Sequence, residues 1–292
     1  MKCNYTKTPK SLNFQTSYYS MTTQSIFEQI QLKKSFLCLG LDPDLDKMPP
    51  HLISSSQEPL FDFCKTIVDH VQHLSVAVKI NTAFFEAYGV QGYAALDKLI
   101  HYIKSHYPEL FTIADAKRGD IGNTSLRYAK AFFEAMPFDA ITIAPYMGKD
   151  SVEPFLTYPD KHAVLLALTS NEGASDFQLK MNGKQALYKE VLSQSQSWKN
   201  ASQLMYVVGA TKAEHLTEVR KLVSDSFLLV PGVGAQGGSL EDVFIHGSNE
   251  KVGLLVNSSR GILYAGSGED FAEAALEAAN ILQQEMENLL SK

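Results

Sequence analysis

Apolar and polar positions fall into alternating blocks along this chain. Eight short apolar runs recur: FLCLGLD (36–42), SVAVKIN (75–81), FTIADAK (111–117), AITIAPY (140–146), AVLLALTS (163–170), LMYVVGA (204–210), FLLVPGV (227–233) and VGLLVNSS (252–259). Most are nearly continuous in apolar residues and end in polar or glycine-containing sequence, the pattern of strands buried on both faces of a parallel sheet. Between them, apolar residues recur at three- and four-residue spacing. That predicts helices over 58–74, 88–107, 124–136, 184–198, 212–223 and 269–290, with shorter pieces near 149–157 and 238–245. Eight strands, each followed by a helical connection, predict a (β/α)8 TIM barrel, one α/β domain over 21–292. A doubly wound open sheet is the competing arrangement. It is disfavoured because no G-x-G-x-x-G follows the first run and no Pro/Gly/Ser-rich linker divides the chain.

Residues 1–20 are polar and rich in Ser and Thr, without the apolar core of a secretory signal. They are expected to be a disordered extension outside the barrel. The chain has 292 residues, 45% hydrophobic and 20% charged, enough to bury a core without disulfides or metals. Its 26 Lys and Arg against 32 Asp and Glu give a formal charge of −6, which argues against nucleic-acid polymers and against a basic membrane-surface helix. No apolar run is long enough to span a membrane. Cys3, Cys38 and Cys64 form no C-x-x-C pair and no zinc-like spacing, so buried thiols in a reducing, cytoplasmic setting are expected. Net charge does not exclude a local anion site.

In a barrel of this kind the active site lies at the C-terminal ends of the strands. Chemically able residues collect there: Asp42 after the first run, Lys79 and Asn81 in the second, Asp115 and Lys117 in the third, Thr169 and Ser170 in the fifth. Asp115 and Lys117 are two residues apart, which on a strand puts both side chains on one face. An isolated Asp-x-Lys is most simply a solvated ion pair. With Lys79 on the neighbouring strand and Asp120 just beyond, a shared charge network becomes geometrically reasonable. After the seventh run comes PGVGAQGG (231–238), whose glycines allow backbone N–H groups to approach an anion. Arg260, just beyond the eighth run, supplies the bidentate cation that a phosphate favours. A phosphorylated ligand is expected. The eight histidines fall mostly on helices, helix ends and loops, where capping and surface roles outweigh catalysis. Phe84 and Phe85 read as core or subunit packing, and Met147 as packing beneath the loop after the fourth strand.

The set LGLDPD (39–44), VKIN (78–81), DAKRGDIGNT (115–124), PGVGAQGG (231–238) and NSSRGILYA (257–265) resembles the orotidine 5′-phosphate decarboxylases over about residues 30–280. The long segment 171–184 is similar to the bacterial subgroup with larger barrel loops. The resemblance implies decarboxylation of orotidine 5′-phosphate to uridine 5′-phosphate and CO2, the last step of de novo UMP synthesis, with no cofactor and no metal. It implies that Lys79, Asp115, Lys117 and Asp120 form an alternating charged network about the substrate carboxylate, with Lys117 as proton donor to C6. It further implies that Asp42 and Lys79 hold ribose hydroxyls and that Ser170 reads the pyrimidine edge. Pro231, Gln236 and Arg260 would line the phosphate site, with Gln236 also reaching toward Ser170. Asp120, Ile121 and Thr124 would enter the neighbouring site of a homodimer. Many family members carry glycine where Ser259 precedes Arg260 here. Metal-dependent hexulose-phosphate enzymes share the D-x-K-x-x-D strand but place a glutamate at the position of Lys79, and lysine there opposes a divalent cation.

Overall fold

The computed structural model describes residues 21–234 and 237–292, apart from the side chains of Lys212 and Ala213. The expectations for residues 1–20 and for Gln236 therefore lie outside the described residues. Eight parallel strands close into a barrel. They are β1 (Leu37–Leu41), β2 (Ala77–Asn81), β3 (Phe111–Arg118), β4 (Ala140–Ile143), β5 (His162–Leu168), β8 (Leu204–Val208), β9 (Leu228–Pro231) and β10 (Leu254–Ser258). Each of the eight apolar runs supplies one strand. The ring is sealed where Leu37, Cys38 and Leu39 of β1 lie opposite Val256, Asn257 and Ser258 of β10. The remaining two strands, β6 (Met181–Asn182) and β7 (Gln185–Ala186), form a small antiparallel hairpin in the connection after β5. Nothing in the hydrophobic pattern signals that hairpin, because its strands are two residues long.

The helices follow the apolar stripes. Helix Pro59–Val71 starts with proline in its first turn, where a missing N–H costs nothing, and buries Leu60, Phe63, Cys64, Ile67 and Val71. It packs between helices Gly89–His106 and Phe271–Leu290. Helix Thr23–Lys33 begins at Thr22, whose hydroxyl accepts from Ser25 N at 3.1 Å, and lies under the N-terminal end of the barrel. There Lys33 Nζ donates to the carbonyls of Gln72 and Ser75, both at 2.9 Å. The helix expected over 124–136 is observed as Gly122–Lys130, widening into a π-turn over Ala131–Ala135. No described helix is long and apolar enough to cross a membrane.

The described core is one continuous cluster filling the barrel and the layer beneath the helices. Cys38 and Cys64 are free and buried within it, and burial pushes the Cys38 thiol up to about 12. A charge pair that the pattern did not reveal sits at the N-terminal end. Lys104 Nζ lies 3.0 Å from each carboxylate oxygen of Asp139, which also accepts from Thr112 N and Thr112 Oγ1. Lys104 occupies the apolar stripe of its helix, one turn beyond Ile100. A lysine on such a stripe is the sequence signal for a buried partner.

Candidate active site

The C-terminal ends of the strands surround a cavity of about 350 Å³, the size of a small-molecule site. Asp42, Lys79, Asp115, Lys117, Ser170, Pro231 and Arg260 all line it, as the strand-end argument expects. Three cations therefore face two carboxylates inside a chain whose formal charge is −6. The mouth is locally suited to an anion.

Lys79 is at the centre of the charges. It is 5% exposed, and its Nζ lies 2.8 Å from Asp115 Oδ2 and 3.7 Å from Asp42 Oδ1. Register explains the meeting: Lys79 lies opposite Gly40 on β1, while Asn81 lies opposite Asp115 on β3. Burial alone would lower the Lys79 ammonium, but Asp115 and Asp42 outweigh it and hold Lys79 above the ordinary lysine value. Burial likewise pushes Asp115 up. Lys79 and Lys117 outweigh that too, and keep Asp115 below the usual carboxylate range. Lys117 Nζ donates to Asp115 Oδ1 at 2.7 Å while remaining half exposed to the cavity. The result is an ionised Lys–Asp–Lys chain with one buried cation and one accessible cation.

Asp115 and Lys117 do meet, but not through the regular pleat that two-residue spacing suggests. The pairing of β3 with β4 runs Ile113 to Ala140 and Ala114 to Ile141, then jumps to Arg118 opposite Ile143. β3 is bulged across the two functional residues, and Lys117 has φ +45°, the left-handed region. For a residue with a Cβ that conformation costs on the order of 1–2 kcal/mol. Bulges and left-handed residues are set by tertiary pairing, so the spacing of the motif gives no sign of them.

The opposite side of the cavity is built from β9 and β10. Gly232 and Gly234 have φ +97° and +69°, conformations that open the loop beyond Pro231 and suit glycine. Ser259 accepts a hydrogen bond from Asn257 Nδ2 at 3.2 Å and lies over β1. A Cβ on Gly40 would fall 1.9 Å from Ser259 Oγ, so the bare backbone of β1 makes room for this serine. Arg260 opens the short helix Arg260–Leu263 and projects into solvent at the rim.

Several contributors escaped the sequence reading. Thr142 on β4 is fully buried and bonds both Asp115 and the backbone of Lys117. Tyr264 donates its hydroxyl to the carbonyl of Asp42 at 2.9 Å and accepts from Asp44 N at 2.8 Å, tying the end of β1 to the arginine helix. Gln178, in the insertion after β5, accepts from Thr169 N at 2.8 Å and so tethers that insertion to the rim. Asp120, Ile121 and Thr124 stand apart from the cavity. Asp120 accepts from Ile121 N at 2.7 Å, and Ile121 is 55% exposed on the outer face of the mouth. Met147 is also exposed, 44%, not packed beneath the loop after β4 as expected, because the three-residue helical turn Pro145–Met147 carries it outward. Phe85 is fully buried, in line with its reading as core. Among the described residues, no three His, Cys, Asp or Glu side chains are grouped as a metal site.

Fold and site together define a (β/α)8 barrel with a lysine–carboxylate chain in the cavity at its mouth. A sequence model of the orotidine 5′-phosphate decarboxylase / HUMPS family matches residues 35–275, and the chain belongs to that family. It is 62% identical to an orotidine 5′-phosphate decarboxylase of Flavobacterium johnsoniae, over 92% of this chain and 98% of that protein. Among solved structures it is similar to Leishmania donovani OMP decarboxylase, with 33% identity, a TM-score of 0.75, and coverage of 90% of this chain and 100% of the other. Leishmania donovani UMP synthase is also similar, with 35% identity and a TM-score of 0.77 over 90% of this chain, which spans 56% of that longer protein.

Proposed function

We propose that this protein decarboxylates orotidine 5′-phosphate to uridine 5′-phosphate and CO2, as the last step of pyrimidine nucleotide synthesis. The observation that carries the reading is the ionised Lys79–Asp115–Lys117 chain, set in a cavity with a surplus of positive charge. The identity of its relatives agrees with it.

In this reading the phosphate rests between the loop after Pro231, with Gln236, and Arg260, far from the bond that breaks. Asp42 and Lys79 take the ribose hydroxyls and Ser170 the pyrimidine edge. The C6 carboxylate is delivered beside Asp115. The C6–carboxylate bond then breaks with its electron pair left on C6, and neutral CO2 departs. Lys117 transfers a proton from its ammonium to C6, and water reprotonates the amine. Fixed cations stabilise the developing carbanion more in this partly dry site than they would in water, and they need no reorganisation at the moment of reaction. Gripping the remote phosphate supplies binding energy that positions the ring. The protein's own charges carry the chemistry, without a cofactor. Asp120, Ile121 and Thr124 reach the neighbouring site of a homodimer; their position outside the cavity and the exposure of Ile121 support that placement.

The test is loss of the orotate chromophore when purified protein meets orotidine 5′-phosphate, with and without EDTA. Turnover indifferent to chelation is expected. No turnover overturns the proposal, and turnover abolished by EDTA assigns the chain to metal-dependent chemistry instead.

A further inference from the structure

We propose that Thr142 is a positioning residue for the reaction: its hydroxyl holds the bulged end of β3 in the one shape that lets Asp115 and Lys117 share the cavity. The hydroxyl is used twice. It accepts from Lys117 N at 2.9 Å and donates to Asp115 Oδ1 at 3.0 Å. Both bonds are made where the ordinary ladder fails, between the pairing of Ala114 with Ile141 and that of Arg118 with Ile143. In a regular parallel pair a backbone N–H of β3 would find a backbone carbonyl on β4. At Lys117 a side-chain oxygen on β4 accepts that N–H, which keeps a buried-edge donor satisfied while the strand bends.

Three features make this more than packing. Thr142 is fully buried, so no water competes for its hydroxyl. Lys117 is held at φ +45°, a conformation its side chain does not favour and that the surrounding structure must impose. Finally, the Oδ1 atom that Thr142 contacts is the same atom that Lys117 Nζ contacts at 2.7 Å. The threonine therefore fixes the carboxylate rotamer against which the reacting ammonium is aimed. Without the hydroxyl, Asp115 retains its two lysines, but the backbone of Lys117 loses its partner and the Nζ its defined direction. Thr142 does not touch the substrate; it acts through Asp115 and Lys117.

The inference rests on the decarboxylase reading, so wild-type turnover is measured alongside the variants. Thr142→Val keeps shape and removes the hydroxyl, whereas Thr142→Ser keeps the hydroxyl and removes a methyl. For Thr142→Val, kcat is expected to fall about 10- to 100-fold, the range for losing a hydrogen bond to a charged group. KM and the dissociation constant for uridine 5′-phosphate should stay within about threefold. Thr142→Ser should retain kcat within about threefold of wild type. Inactive wild-type protein sinks the decarboxylase reading itself. With active wild type, a Thr142→Val protein of near-normal kcat overturns the role of Thr142. So does Thr142→Ser losing 10-fold or more in kcat, since the methyl and not the hydroxyl would then matter. That second arm stands even where Thr142→Val fails to fold.

Discussion

Replacing Lys79 with methionine removes the central charge of the site and keeps most of the side chain's length and apolar volume. Lys79 Nζ now neutralises Asp115 at 2.8 Å and lies 3.7 Å from Asp42 in a place that is almost dry. In the variant, Asp115 keeps Lys117 and Thr142, but Lys117 is half exposed and its attraction is screened. Stripping one partner from a buried pair costs about 3–5 kcal/mol, because the remaining charge is uncompensated. The two donors left on Asp115 place this case near the lower end, about 3 kcal/mol. At about 2–4 °C per kcal/mol for a chain of this size, the melting midpoint at pH 7 falls by roughly 6–12 °C. The pH dependence carries a sign. In the wild type, the depressed Asp115 contributes stability that is present above the unfolded carboxylate value near ~3.9 and is lost as pH falls through the folded value. The raised Lys79 contributes stability that is present below ~10.4 and is lost as pH rises through its folded value. Between about pH 5 and 9 both contributions are flat. In the variant, burial is no longer outweighed and the Asp115 carboxyl rises, so its protonation relieves the stranded charge. The deficit should therefore shrink from pH 7 to pH 4. Thermal unfolding of both proteins at these two pH values and one ionic strength checks it. Equal stability at pH 7, or a gap that widens toward acid, would refute the account of Lys79 as the group that keeps buried Asp115 ionised.

Three further outcomes follow from the same geometry. Lys117→Ala should fold normally, since the side chain is half exposed, yet lose at least about 10³-fold in kcat; near-normal turnover would remove Lys117 as the proton donor. Gly40→Ala puts a Cβ 1.9 Å from Ser259 Oγ and 2.8 Å from Asn257 Oδ1, costing about 1–3 kcal/mol of overpacking. Because Ser259 precedes Arg260, KM should rise more than kcat falls, and steady-state kinetics showing the reverse would contradict the proposed phosphate role of Arg260. Tyr264→Phe removes both bonds that pin the end of β1 to the arginine helix, and urea unfolding should show a loss of about 1–2 kcal/mol.

The barrel was legible because strands buried on both faces announce themselves as apolar runs, and the site because several of those runs close in polar residues that a core cannot tolerate. Asp42, Lys79, Asp115, Lys117, Ser170, Pro231 and Arg260 could be gathered into one cavity from strand ends alone. What could not be read depended on pairing between strands. Thr142 looks like an ordinary β-branched strand residue until the bulge in β3 gives its hydroxyl two partners. Asn257 and Gly40 matter through a contact across the seam of the ring, between residues far apart in the chain. Lys104 could have been noticed on its apolar stripe, although its partner Asp139 lies just ahead of β4 and no local pattern points to it. The hairpin after β5 was too short to carry a periodicity.

The seam of the ring also orders events during synthesis. Asp42, Lys79, Asp115 and Lys117 belong to the first three strands, which pair with one another in sequence and can associate early on a growing chain. Arg260 comes after the last strand, and β10 must find β1 across nearly the whole chain, a contact whose closure entropy is met late. A nascent chain can thus hold Lys79, Asp115 and Lys117 side by side well before Arg260 joins them at the cavity. The cavity is walled on every side only when the final strand docks, so construction order alone keeps the unfinished barrel without its Arg260 side.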